Sequence, residues 1–350
     1  MPWRPSSIAA LALLLGCQAL LEFDSGPSTS AVATVEAGVA TDATADSAAL
    51  TLATLGSEAR WLATNGRYVF TTALRGDGSD ASSVYRLRKD GTQKLELETP
   101  TAGFVAPLKL QGLASYDDAT YLVTLEGGNC GTPVQLWRLD GTKFTQVAVS
   151  HCGGVPLMAM DAAGPTGPRD LMLVVAVESG ADLLRVQLPS TATTTNAGFP
   201  TTTAVFSTAN AVYLAHTDRI ASVTKPGVSS AFAPITSPVR QLVADEATVY
   251  WIDATRELKG NPVSGGARTA PSGGPTIRAH LPALPSALAQ FREELFVTFS
   301  DAGEVWAFAK KDGSPRLLAA GQGAPEEILA DDSGVYWLNR KDGTVMHVAR

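Results

Sequence analysis

Cysteine and histidine are scarce, with three and four copies among 350 residues, and the histidines at 151, 216, 280 and 347 are scattered along the chain. Cys130 and Cys152 cannot complete a metal site without further ligands, and only His151 stands beside one of them. Positive charge is also short. With 27 Lys and Arg against 34 Asp and Glu, the net charge of −7 excludes a broad cationic footprint for nucleic acid. Beyond the N-terminal run, no apolar stretch is long enough to cross a hydrocarbon layer of about 30 Å as a helix. His-Glu-x-x-His, Gly-x-Ser-x-Gly and Gly-x-x-x-x-Gly-Lys are all missing, and neither a cofactor nor a metal is expected. What is plentiful is hydrophobic residues, at 45%, together with 32 Gly and 21 Pro, a globular and turn-rich composition.

The N-terminus reads as an export signal. Arg4 gives a positive start, Ile8 to Leu15 form an apolar run too short to span a bilayer, and Leu14-Leu15-Gly16-Cys17 closes it. These last four residues resemble the lipobox of bacterial lipoproteins. The resemblance implies removal of residues 1–16, acylation of Cys17 and, with Gln18 rather than Asp following, sorting to the outer membrane. Removal takes away Arg4 and no acid, so an anionic bilayer surface would not attract the remainder, and the lipid is the expected membrane contact. Residues 17–48 are rich in Ala, Ser, Thr, Gly and Asp, which suits a lipidated, flexible tether. The folded domain is expected over 49–350. An exported chain meets an oxidising compartment, so a Cys130–Cys152 disulfide is the default reading, with free thiols or a metal site as alternatives.

Self-similarity decides the architecture. Asp245-Glu246-Ala247-Thr248-Val249-Tyr250-Trp251 matches Asp331-Asp332-Ser333-Gly334-Val335-Tyr336-Trp337, a polar turn followed by a strand opening on Val-Tyr-Trp. Weaker copies put Tyr68, Tyr121, Tyr213 and Phe296 in the aromatic position, and Leu171 to Val177 supplies a copy with no aromatic. Seven units follow, with a mean period of about 45 residues. In the last unit Glu327 to Asp331, Val335 to Asn339 and Thr344 to Ala349 read as three strands, Asp342-Gly343 marking a hairpin. Fourth strands follow turns such as Lys89-Asp90-Gly91-Thr92 and Lys311-Asp312-Gly313-Ser314.

Four short strands per period, without helical periodicity, predict an all-β fold: a seven-bladed β-propeller of four-stranded antiparallel blades. The last unit ends after its third strand, and Leu50 to Gly56 resembles the fourth-strand segment Arg316 to Gly321, so an N-terminal strand is expected to close the ring. The pattern resembles bacterial seven-bladed propellers with degenerate Asp-containing, Val-Tyr-Trp repeats, found among envelope lipoproteins.

Propeller topology brings the loops between second and third strands, and the links between blades, to one face. Cys130, in a second-to-third loop, and Cys152, read as part of a blade link, are both expected there. The longest connections on that face, Glu98 to Pro107, Asn196 to Thr201 and Pro271 to Pro285, carry Phe104, Phe199, Arg278 and His280, candidates for the rim of a ligand or partner site. Asp117-Asp118 and Asp331-Asp332 fall in turns between first and second strands, where Asp accepts backbone hydrogen bonds. Gly76 to Asp80 lacks the acidic spacing of a calcium loop. Trp137, Trp251, Trp306 and Trp337 fall on strands and are expected between blades. The function expected is that of a lipid-anchored, non-catalytic binding or scaffold module of the bacterial envelope, facing the periplasm or the cell surface, with an envelope protein or saccharide as partner. The alternatives are a periplasmic propeller hydrolase acting on a small molecule or sugar, and an accessory lipoprotein of outer-membrane assembly.

Overall fold

A strand reading Val-Tyr-Trp-Ile has no polar face, so its sheet must be covered on both sides. Radially stacked blades supply that cover. The computed structural model describes residues 48–56, 59–74, 82–97, 108–116, 119–126, 133–152, 157–160, 169–177, 180–188, 192–208, 210–224, 229–263 and 276–350. The signal segment, Cys17, Gly76 to Asp80, Phe104, Asp117-Asp118 and Cys130 lie outside them.

The described strands form seven four-stranded antiparallel sheets. The chain opens with β1 (Leu50–Thr54), then builds blade one from β2 (Ala59–Thr64), β3 (Tyr68–Leu74), β4 (Ser82–Arg88) and β5 (Lys94–Leu97). Blade two is β6 (Leu108–Tyr116), β7 (Ala119–Glu126), β8 (Pro133–Asp140) and β9 (Lys143–Cys152); blade three is β10 (Leu157–Met160), β11 (Arg169–Val177), β12 (Gly180–Leu188) and β13 (Ala192–Phe199). Blade four is β14 (Ala204–Ser207), β15 (Ala211–Ala215), β16 (Arg219–Thr224) and β17 (Ser229–Pro234); blade five is β18 (Val239–Ala244), β19 (Thr248–Asp253), β20 (Glu257–Pro262) and β21 (Thr276–His280). Blade six is β22 (Ala287–Phe291), β23 (Glu294–Phe299), β24 (Glu304–Ala309) and β25 (Pro315–Ala319). Blade seven is β26 (Pro325–Asp331), β27 (Gly334–Asn339) and β28 (Thr344–Ala349), and its fourth strand is β1, paired antiparallel to β28. The first strands lie side by side in sequence order and β26 lies beside β2, which closes the ring.

Seven apolar clusters fill the seven seams, one between each pair of neighbouring blades. Strand alternation assigns each side chain to its seam. In β19, Val249 and Trp251 pack toward blade four, whereas Tyr250 and Ile252 pack toward blade six. Val335 and Trp337 likewise face blade six, and Tyr336 and Leu338 face blade one. Trp137 packs in the seam of blades one and two and Trp306 against that of blades five and six, so Trp137, Trp251, Trp306 and Trp337 all lie between blades. A fully buried indole removes about 200 Å² from water, roughly 5 kcal/mol at ~25 cal/mol per Å² as an upper bound.

Pairing corrects one assignment. Tyr121 and Tyr336 sit opposite Arg138 and His347, and the residue opposite the equivalent Arg86 is Phe70, not Tyr68. In blade three the same place belongs to Met172, opposite Arg185.

Candidate functional site

Antiparallel order gives the ring two faces. Pro133 at the start of β8 pairs with Cys152 at the end of β9, so second-to-third connections and blade links share one face. Tyr116 pairs with Ala119 and Asp140 with Lys143, so the first-to-second and third-to-fourth turns share the other. The sequence candidates fall differently from expectation. His151 and Cys152 are the last residues of β9 rather than part of a blade link, because β9 continues opposite Pro133. Asn196 to Phe199 completes β13, and Phe199 packs partly buried against the seam of blades three and four. Arg278 and His280 belong to β21, the outer strand of blade five. His280 is exposed, with Nδ1 3.7 Å from Glu257 Oε1. Phe199 and His280 thus end the outer strands of blades three and five on the expected face, opposite Ala181 and Glu257, whereas Arg278 lies within β21.

The geometry instead draws attention to the turn face between blades five and six. Asp245 begins the turn into β19. Its Oδ1 accepts the N–H groups of Ala247 at 2.9 Å and Thr248 at 2.7 Å, the turn role expected of Asp331, its counterpart in the matching repeat. Its Oδ2 accepts from Lys310 Nζ at 2.6 Å, across the seam. Lys310, just past β24, also donates to Gln290 Oε1 at 2.7 Å and lies 5.5 Å from the centre of the Tyr250 ring. Burial, reinforced by the Asp245 charge and opposed by a hydrogen bond to Thr248, holds the Tyr250 hydroxyl above its ordinary value.

The same device recurs at two other seams. Lys89, just past β4, pairs with Asp331 Oδ2 at 2.5 Å and lies 5.8 Å from the Tyr336 ring, while Thr64 Oγ1 donates to the same oxygen at 2.8 Å. Arg350, just past β28, lies 5.4 Å from the Phe296 ring and pairs with Glu294 at 2.7 Å. A cation leaving the third strand of one blade thus caps the aromatic ring of the blade before it, a favourable contact with the negative ring face.

The seam of blades five and six also carries an open groove of about 680 Å³ on this face, lined by both blades. Its walls include Asp245, Tyr250, Arg278, Arg292, Glu293 and Lys311. Arg292 is paired with Asp332, and Asn210 Nδ2 donates to Glu246 at 2.5 Å. Arg278 reaches the groove from the outer strand, where Nη1 donates to Lys311 O at 3.4 Å. Sequence reasoning missed Asp245, Lys310 and Lys311 as seam residues because their partners lie on a neighbouring blade.

At the ring's inner strand, Glu326 is paired with Arg340 at 3.0 Å. Its neighbour Glu327 is held up at about 7 by burial and by the Glu326 charge. Among the described residues no three His, Cys, Asp or Glu side chains are placed to hold a metal ion together.

No family model matches the chain, and no curated protein matches it in sequence. Solved structures resemble it. The computationally designed protein Ika8 shares 14% identity over 86% of this chain and 98% of its own, with a TM-score of 0.55. Apo AztD from Citrobacter koseri shares 12% identity over 83% of this chain and 75% of its own, at 0.47. A chain of the nidogen/laminin complex shares 14% over 62% and 86%, at 0.45. At 14% identity and a TM-score of 0.55, the likeness to Ika8 speaks for the fold alone.

Proposed function

We propose that the chain is a lipid-anchored propeller of the bacterial envelope that works as a binding or scaffold module. The observation that carries the anchor is Leu14-Leu15-Gly16-Cys17 behind an apolar run, followed by a tether-like composition up to the first strand at Leu50. Support for binding comes from the scaffold: a closed ring stapled at its seams holds its turns rigidly, and rigid turns are where propellers present ligand-contacting groups. The partner class on this reading is an envelope protein or saccharide, and the membrane contact is the lipid on Cys17.

Metabolic labelling with a palmitate analogue tests the anchor in wild type and Cys17→Ser. Label in the wild type only, with that protein alone partitioning into the outer-membrane fraction, supports the proposal. Equal labelling of the two proteins overturns it.

A further inference from the structure

The repeats themselves provide the comparison that singles out one site. In blades two, four, five, six and seven the third and fourth strands slip register at the same place, leaving one bulged residue on the fourth strand. In four of those blades the bulged residue is apolar and packs into the following seam: Val147, Phe232, Leu318 and Leu52. In blade five it is Arg278.

A second change accompanies the first. Opposite Tyr250 on the third strand is Gly260, at the position held by Arg86, Arg138 and Arg185 in blades one to three. A Cβ on Gly260 would fall 2.9 Å from Arg278 Nε and 3.2 Å from the Tyr250 ring. Across the seam, a Cβ on Gly313 would come 1.9 Å from Arg278 O. Two glycines therefore make the slot in which Arg278 lies, one beneath its side chain and one against its backbone. Arg278 Nε is buried and has no hydrogen-bond partner among the described residues, and the side chain lines the groove. A buried guanidinium N–H without an acceptor is costly, and Arg86 Nε shares that state in blade one; what sets Arg278 apart is that its side chain lines an open groove, where a ligand oxygen has access to it.

The charges around it select the ligand. Asp245 is engaged by Lys310 and Arg292 by Asp332. Among the groove residues this leaves Arg278 and Lys311 as cations without a carboxylate partner among the described residues, facing two further acids, Glu293 and Glu246, the second of which accepts from Asn210 Nδ2. With two acids in the same groove, a ligand carrying one anionic group can meet Arg278 and Lys311, whereas one carrying several would also face Glu293 and Glu246. At about 680 Å³ the groove has room for a small organic molecule, held at an open surface rather than enclosed.

We infer that the seam of blades five and six binds the anionic group, carboxylate or phosphate, of a small ligand through Arg278 and Lys311, beside the Tyr250 ring. The inference deepens the binding-module reading by naming a site and ligand chemistry, and it stands whether or not Cys17 carries lipid. Arginine suits the task because its planar fork presents N–H donors to two oxygens at once.

The test uses the full chain labelled with ¹⁵N-arginine and titrated with inorganic phosphate, with acetate, and with sodium chloride at matched ionic strength. The Arg278 Nε–H resonance, assigned by its disappearance in Arg278→Leu, should move saturably with phosphate or acetate and not with chloride; which of the two moves it separates the phosphate from the carboxylate source. Arg278→Leu copies the apolar residue of blade six, so it should keep the fold and abolish saturable binding measured by calorimetry. Lys311→Gln, at an exposed turn position, should weaken binding at least tenfold and serves if the first variant fails to fold. An Nε–H shift no larger than that with chloride, or unchanged affinity in Lys311→Gln, overturns the inference. Loss of acyl labelling with anion binding intact would count against the anchor alone.

Discussion

Lys310 of blade six and Asp245 of blade five meet at 2.6 Å across a seam, and only 8% of the lysine side chain is exposed. The aspartate is also fixed by its own turn, so the pair joins two rigid elements without having to order either. Removing one partner leaves the other charge partly buried. Lys310→Met should cost about 2 kcal/mol, below the range for a fully buried pair because Asp245 remains partly open to water. Adding Asp245→Asn should recover part of that loss. Urea unfolding of the two variants measures both, and equal midpoints for wild type and Lys310→Met would show that the seam contact contributes nothing.

The titration of Glu327 predicts a dependence on pH. Its carboxyl rises from 4.5 to about 7 in the folded protein. Between those values the native state keeps a proton that the unfolded chain has lost, so this group lowers stability as pH rises and does so fully above about 7. Glu327→Gln should therefore match wild type near pH 4.5 and exceed it at pH 8 by on the order of 2 kcal/mol, after discounting for contact with water. His216 and His347 act in the opposite sense. Burial lowers both, so their share of stability is complete above 6.5 and falls away as the pH drops below that value. The difference between variant and wild type isolates Glu327 from them. Thermal midpoints across pH 4.5 to 8 provide the check, and a constant offset would rule out the titration.

Much of this architecture was legible in the order of residues, for a physical reason. Val-Tyr-Trp at a fixed period declares a strand apolar on both faces, and only a stack of sheets covers both. The Tyr68 assignment missed by two because positions two apart on a strand face the same side; Phe70 and Tyr68 are interchangeable to a period-two pattern, and only pairing with Arg86 separates them. β21 escaped notice because Pro271, Gly273, Gly274 and Pro275 run up to Thr276 and resemble a connector. The groove was illegible altogether. Arg278 looks like any surface arginine until the register places it in a column of apolar bulges, and Lys310 is a turn residue until the next blade is folded beside it.

Cys152 closes β9 opposite Pro133, three positions after Cys130 in the chain. A bridge would then tie the second-to-third connection of blade two to the outer strand of the same blade, rather than to blade three. Closing a loop of about 22 residues contributes roughly 3 kcal/mol by the chain-entropy relation. Reduction, and separately Cys130→Ser, should lower the thermal midpoint by similar amounts. Peptide mass spectrometry of unreduced, exported protein checks the bond directly, and recovery of both thiols free would dismiss it.

Ring closure rests on one short strand. β1 pairs with β28 through Leu50 opposite His347 and Ala53 opposite Val345, and beyond it Leu55 N–H donates to Gly343 O at 2.9 Å. Leu52 and Ala53 join the apolar cluster between blades seven and one, so the strand supplies packing as well as hydrogen bonds. The approach is close: Gly343 has φ +60°, and a Cβ there would fall 1.3 Å from Gly56 O. Deleting residues 49–56 should uncover the β28 edge, lower the thermal midpoint and promote association between copies, because an unpaired edge offers its donors and acceptors to any strand. Deleting residues 25–41 instead should leave unfolding unchanged. Gly343→Ala should cost about 2 kcal/mol, from the left-handed backbone and the displaced closing strand together. Light scattering during thermal unfolding separates these cases. Equal midpoints and equal scattering for the two deletions would mean that blade seven holds without its fourth strand.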